Sequence, residues 1–244
     1  MNSYSKTKKN QINIKNMFEN LKSKYILKII FDNLNKKKLL YIIKYNKNIQ
    51  NRININVNDY KTYLEKYSPI ELEIIPKKNE YGKYINISKG DEKYYHIYVN
   101  NNKEEIKRYF LRKGDNVAKI KIIIDYQVKS FENLFSFCKC IEFLSFIKFY
   151  RNNITNMNRM FFRCQSLKEI NLNKFNTNNV THMRSMLHGC SSLKELNLSN
   201  FNTSNVIDMS SMLCGLSFEL QNKIEDKYKN IKKEAFTIYS INNK

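Results

Sequence analysis

The feature that most restricts this chain is a repeat of fixed length. Val128, Ile154, Val180 and Val206 are spaced 26 residues apart, and the segments that begin at them align without gaps. From Val180 the chain reads VTHMRSMLHGCSSLKELNLSNFNTSN, and from Ile154 it reads ITNMNRMFFRCQSLKEINLNKFNTNN. The segment from Val128 is more diverged: VKSFENLFSFCKCIEFLSFIKFYRNN. A fourth begins at Val206 as VIDMSSMLCGLSFEL and then loses the pattern. A chain with such a period places equivalent side chains in equivalent surroundings, so each alignment column is one environment.

The columns carry physical meaning. Met183, Met186 and Leu187 stand at i, i+3 and i+4. So do Met157, Met160 and Phe161; Met209, Met212 and Leu213; and Phe131, Leu134 and Phe135. This spacing predicts a short helical turn with three apolar side chains on one side. Leu193, Leu196 and Leu198 follow as L-x-x-L-x-L, matched by Leu167, Ile170 and Leu172 and by Ile141, Leu144 and Phe146. The last two members alternate with polar residues, as in a strand with one buried face. Phe149, Phe175 and Phe201 form a further column, and Cys138, Cys164 and Cys190 another. A period of 20–29 residues with L-x-x-L-x-L is a leucine-rich-repeat signature.

The stretch FNTNNVTHMRSMLHGCSSLKELNLSNFNTSNVIDMSSML resembles the BspA-like leucine-rich repeats of bacterial and protist surface proteins, over about residues 128–215. That resemblance implies a curved right-handed solenoid that binds other proteins, often as a surface or adhesion protein. Surface members are secreted, whereas residues 1–10 here are polar and lysine-rich, with no apolar segment and cleavage site after them. The expected location is therefore cytoplasmic. No stretch reaches the roughly 18 apolar residues of a membrane-spanning helix.

The flanks are read from their own periodicity. Leu220, Ile224, Tyr228, Ile231 and Ala235 follow helical spacing. Ser217 is a candidate N-cap, and Glu219 favours the helix dipole, so a capping helix is expected over 217–235. Residues 94–99 and 117–124 are rich in Ile, Val and Tyr and read as strands. Ile120 precedes Phe146 by 26 residues, which suggests an irregular first coil. Residues 11–70 read as helices, with Pro69 and Pro76 flanking an apolar segment at the domain boundary. Within them, Ile26-x-x-Ile29-x-Phe31-x-x-Leu34 followed by Leu39-Leu40 resembles the F-box core in spacing, with Lys22 or Ser23 where that family carries its early proline. The resemblance implies a substrate adaptor that binds a ubiquitin-ligase adaptor subunit through residues 1–76.

The expected fold class is α/β: a short leucine-rich-repeat solenoid preceded by a small helical domain and a β-rich cap. The expected domains are 1–76, helical; 77–127, the β-rich N-terminal cap; 128–216, the leucine-rich repeats; and 217–244, the capping helix and tail. Charge and chemistry then narrow the function. The net charge of +21 is spread as +9 over 1–76, +5 over 77–127, +5 over 128–215 and +2 over 216–244. No segment is a dense basic stripe, and Lys, Asn, Ile and Tyr, the abundant types, share AT-rich codons. This argues against nucleic acid as the partner. The five glycines leave little room for a phosphate-cradling loop, and GxGxxG, GxxxxGK[ST], HExxH and GxSxG are all missing. The cysteine column reads as a core ladder, since a buried thiol packs as a small hydrophobe. Cys138-x-Cys140 is too short a spacing for a persuasive zinc pair, and His182 and His188 stand in columns that carry Asn and Phe one repeat earlier. No catalytic, cofactor-binding or metal residues are assigned.

A non-enzymatic protein-interaction module is the reading that remains, with a protein partner of unstated identity. Its candidate face is the polar side of the strand columns: Glu142, Lys168 and Lys194; Phe143, Glu169 and Glu195; Asn171 and Asn197; and Ile147. Phe143 and Ile147 stand out as apolar members of a polar face, the kind of patch a partner uses. The alternatives are the ubiquitin-ligase adaptor, nucleic-acid binding through the basic surface, and a surface adhesin.

Overall fold

The structure is a computed structural model, and it describes residues 57–237 together with residues 47–52 and residue 26. The chain divides into two compact units, Met1–Leu64 and Glu65–Lys244. In the first, helix α1 (Lys47–Arg52) buries Ile49, and helix α2 (Val57–Tyr67) begins. Residues 27–46, which with Ile26 carry the F-box-like spacing, lie outside the described residues.

The second unit is organised by a mixed five-stranded sheet of order β3-β5-β1-β6-β7. Its strands are β1 (Ile70–Pro76), β3 (Tyr95–Val99), β5 (Ile120–Ile124), β6 (Ile141–Lys148) and β7 (Glu169–Asn171). Two short strands, β2 (Gly82–Lys83) and β4 (Phe110–Leu111), pair separately. Helix α3 (Phe218–Lys227) follows the repeats. The alternation in β1 is clear: Ile70, Leu72 and Ile74 are buried, while Glu71, Glu73 and Ile75 point outward. β5 answers with Ile120, Ile122 and Ile124 on the buried side.

This architecture corrects the expected α/β leucine-rich-repeat solenoid. The organising element is the mixed sheet, and among the described residues only the first two repeats contribute strands to it, as β6 and β7. The segment flanked by the two prolines is a central strand: β1 pairs antiparallel with β5 on one edge and with β6 on the other. It therefore separates β5 from the first repeat, so Ile120 does not open an irregular first coil. The physical reason is that the free edge of the first repeat strand needed a hydrogen-bonding neighbour, and Ile70–Pro76 supplied it from a distant part of the chain. A 26-residue period shows which residues share an environment; it does not show which strand covers the first one.

The i, i+3, i+4 triplets also differ from expectation. They form pairs of tandem β-turns instead of a helical turn. In the first repeat the N–H of Leu134 donates to Phe131 O and that of Cys138 to Phe135 O, both at 3.1 Å. The third residue of each turn is left-handed: Asn133 at φ 57° and Phe137 at φ 60°. The same two positions are left-handed in later repeats, at Arg159 and Arg163, Ser185 and Gly189, and Ser211 and Gly215. A left-handed non-glycine residue costs about 1–2 kcal/mol, so the turns are held by what they connect. Alternate N–H groups point to the next repeat, as Phe131 to Asn156 O, Asn133 to Asn158 O, Phe135 to Met160 O and Phe137 to Phe162 O, at 2.8–3.0 Å. Equivalent bonds join the second repeat to the third and the third to the fourth. Both arrangements put apolar side chains at i, i+3 and i+4 on one side, so the spacing alone could not choose between them.

The columns close the core. Phe175 packs on Phe146 at 4.7 Å, on Phe149 at 4.9 Å and on Phe201 at 5.7 Å between ring centroids. Two cysteines of the ladder donate their thiols toward the preceding repeat, Cys164 to Phe135 O at 2.9 Å and Cys190 to Phe161 O at 3.1 Å. Arg151, with no exposed surface, donates to Asp125 O at 2.9 Å and Val128 O at 3.1 Å, tying the end of β5 to the first repeat. At the far end the last turns are answered by residues 234–237: Ser211 and Leu213 N–H donate to Glu234 O and Ala235 O, both at 2.8 Å. This short segment, more than α3, satisfies the terminal backbone groups. Among the described residues no helix is long and apolar enough to cross a membrane.

Candidate interaction cleft

The candidate face divides into two parts. On β6 and β7, Glu142 accepts a hydrogen bond from Lys168 Nζ at 2.6 Å. Phe143 is half-buried between its register partners Ile75 of β1 and Glu169 of β7. Ile147 stays 44% exposed near the end of β6. Glu142, Phe143, Ile147 and Lys168 lie apart from the cleft that the remaining candidates line.

The other five line an open cleft of about 790 Å³, whose opposite wall is α3. Glu169 and Asn171 come from β7, and Lys194, Glu195 and Asn197 from the third repeat; Lys223, Asp226, Lys227 and Tyr228 come from α3 and its end. Ser217 caps α3, accepting from Leu220 N–H at 3.3 Å, which starts the helix at Phe218 and aims Leu220 and Ile224 inward. Helix register then brings Tyr228 over the third repeat, where its hydroxyl donates to Asn197 Oδ1 at 3.1 Å. Asn197 Oδ1 also accepts from Ser199 N–H at 3.0 Å, which fixes the acceptor. The lining is balanced in charge, with Glu169, Glu195 and Asp226 against Lys194, Lys223 and Lys227, and Ile170, Leu196, Leu220 and Ile224 provide an apolar floor.

Reasoning from the sequence missed the wall. The amphipathic pattern from Leu220 to Tyr228 was legible, but its docking beside the polar side of the strand columns was not. A helix stripe says which side is buried, and the partner element is settled by the turn before it.

All five cysteines are buried. Burial pushes the Cys140 thiol up to about 11 and raises those of Cys138 and Cys164 as well, so these three remain protonated near neutrality. Among the described residues no group of three or more His, Cys, Asp or Glu could hold a metal ion.

Residues 129–242 match a family described as Mycoplasma protein of unknown function, DUF285. The match takes in the repeats, α3 and the closing segment, a little under half of the chain. Neither the curated proteins nor the solved structures provide a match.

Proposed function

We propose that this chain is a protein-interaction module without catalytic chemistry, and that a polypeptide partner docks in the cleft between the repeat face and α3. The cleft carries the proposal: an apolar floor under a rim of both charge signs is the composition of a protein–protein contact, where polar groups set register and apolar burial supplies affinity. Equal numbers of acidic and basic side chains there disfavour a polyanion, and burial raises the thiol pKa of Cys138, Cys140 and Cys164. The BspA-like resemblance of the repeats points the same way.

The test uses the full chain immobilised as bait in nuclease-treated lysate of the source organism, with captured proteins identified by mass spectrometry. The comparison bait carries Glu169→Ala, Glu195→Ala and Asn197→Ala together. The proposal expects at least one abundant captured protein to vanish from the variant, with unchanged circular dichroism. If the variant retains every captured protein, the cleft is not the docking site.

A further inference from the structure

We propose that the turn surface of the first three repeats is a binding strip for single-stranded nucleic acid, built from an arginine–aromatic ladder. Its members are Phe137, Phe162, His188, Arg159 and Arg163, and none of them lines the cleft beside α3. This goes beyond the protein-docking reading and concerns a different surface.

The ladder follows from the repeat register. Phe162 and His188 occupy one column, so their rings stack one repeat apart, with centroids 5.0 Å apart and planes at 23°. Phe137 meets Phe162 edge-on at 5.3 Å. Arg163 bridges the two phenyl rings, its guanidinium carbon 5.8 Å from the Phe137 centroid and 5.3 Å from that of Phe162. Arg159 adds a second cation 5.8 Å from Phe162. Both arginines are exposed, and among the described residues neither pairs with a carboxylate. Burial and the neighbouring Arg163 hold His188 below the usual imidazole range, so near pH 7 it is a neutral flat ring.

Two observations separate this strip from an ordinary solvated surface. The first is backbone strain. Phe137 and Arg163 are left-handed, at φ 60° and 55°, in the column where the third and fourth repeats carry Gly189 and Gly215. Glycine takes that conformation freely. Two large, exposed side chains are therefore held at a conformational cost that glycine would avoid, offset by the ladder bonds of the turns. Phe137 exposes 54% of its surface. The second is residue choice. The chain holds only 7 arginines among its 43 basic residues, so the codon bias that accounts for lysine does not account for these. Two of the seven, Arg159 and Arg163, stand on this strip.

Arginine and aromatic rings together suit single strands. Exposed bases stack on rings whatever their sequence, and planar guanidinium groups take phosphate oxygens pairwise. A folded duplex offers no free base faces, and an acidic peptide offers no planar ones. Of the carboxylates on the turns, Glu132 accepts from Asn156 Nδ2 at 3.0 Å, and Asp208, which interacts with Arg184, accepts from the hydroxyl of Ser210 at 2.7 Å.

The test is fluorescence anisotropy of the full chain with fluorescein-labelled single-stranded 15-mers, one DNA and one RNA, across a salt series. Binding is expected for at least one of the two, and which one tells the source. Arg159→Ala with Arg163→Ala should weaken it about tenfold and lower the salt slope by about 1.4, from about 0.7 per lost phosphate contact. Lys103→Ala with Lys113→Ala removes the same charge from exposed loops and should change it by less than about twofold. Phe137→Gly is the decisive variant, expected to keep or raise the melting temperature while weakening binding several-fold. The proposal is overturned by no binding of either oligonucleotide at low salt. Equal weakening in the loop-lysine variant, or competition by polyglutamate as strong as by unlabelled oligonucleotide, overturns it equally.

Discussion

Glycine at position 215 sits where two demands coincide, and replacing it separates them. Gly215 is left-handed at φ +75°, and a Cβ there would lie 3.1 Å from both the Cα and the N of Gly189. That nitrogen donates to Cys214 O at 2.7 Å, one of the bonds that join the third and fourth repeats. Gly114 is the control. It fills the same place in a single turn closed by Asp115 N–H on Arg112 O at 3.1 Å, with φ +88° and open space where its Cβ would be. Both alanine variants bear a left-handed cost of about 1–2 kcal/mol. Only Gly215→Ala also crowds backbone against backbone, which adds about 1–3 kcal/mol. A gap of about 2 kcal/mol between the variants corresponds to about 4–8 °C in melting temperature for a unit of this size. Thermal melts followed by circular dichroism, and urea midpoints at unchanged slope, measure that gap. Equal destabilisation by the two variants would refute the close approach and leave conformation alone as the cause.

Three further outcomes are expected. Phe175→Ala removes a ring packed on three others and should cost about 3–5 kcal/mol, read from urea denaturation; a loss under about 1 kcal/mol would mean the aromatic column is not continuous. Glu71 accepts from Lys148 at 2.6 Å and lies 3.2 Å from Lys121; burial raises its pKa, but the two lysines outweigh it and hold the carboxyl below its ordinary value of 4.5. A depressed carboxyl stabilises above its unfolded value and loses that effect as pH falls through the folded one, so Glu71→Gln should cost up to about 1 kcal/mol at pH 7, because both lysines are partly exposed and screened, and nothing near pH 2. An equal cost at both pH values would contradict the ion-pair account. Cys138, Cys164 and Cys190 should resist a thiol-specific reagent at pH 8 and react once urea unfolds the chain; fast labelling of the folded protein would show that the column is open to solvent.

The buried columns were legible in the sequence because a constant period gives each column one environment. Met157, Met183 and Met209 have no exposed surface, and Cys138, Cys164 and Cys190 are likewise buried. The start of α3 was legible from Ser217, because an N-cap acts through its own next three residues. Two features were not. The triplet spacing suits both a helical turn and paired β-turns, and the choice rests on ladder bonds to residues about 25 positions away. The candidate face was found column by column, yet Glu142, Phe143, Ile147 and Lys168 fall outside the cleft while Glu169, Asn171, Lys194, Glu195 and Asn197 fall inside it. That division depends on where α3 lies, and nothing in the strand columns refers to the helix.

By itself, then, the sequence determined which side chains repeat, which of them are withdrawn from water, and where the last helix begins, because each depends on spacing along the chain. Tertiary structure alone decided that Ile70–Pro76 would complete the sheet between β5 and β6, and that α3 would wall one end of the repeat face. Those outcomes join residues far apart in sequence through backbone pairing and side-chain contact, and such pairings leave no local periodicity to read.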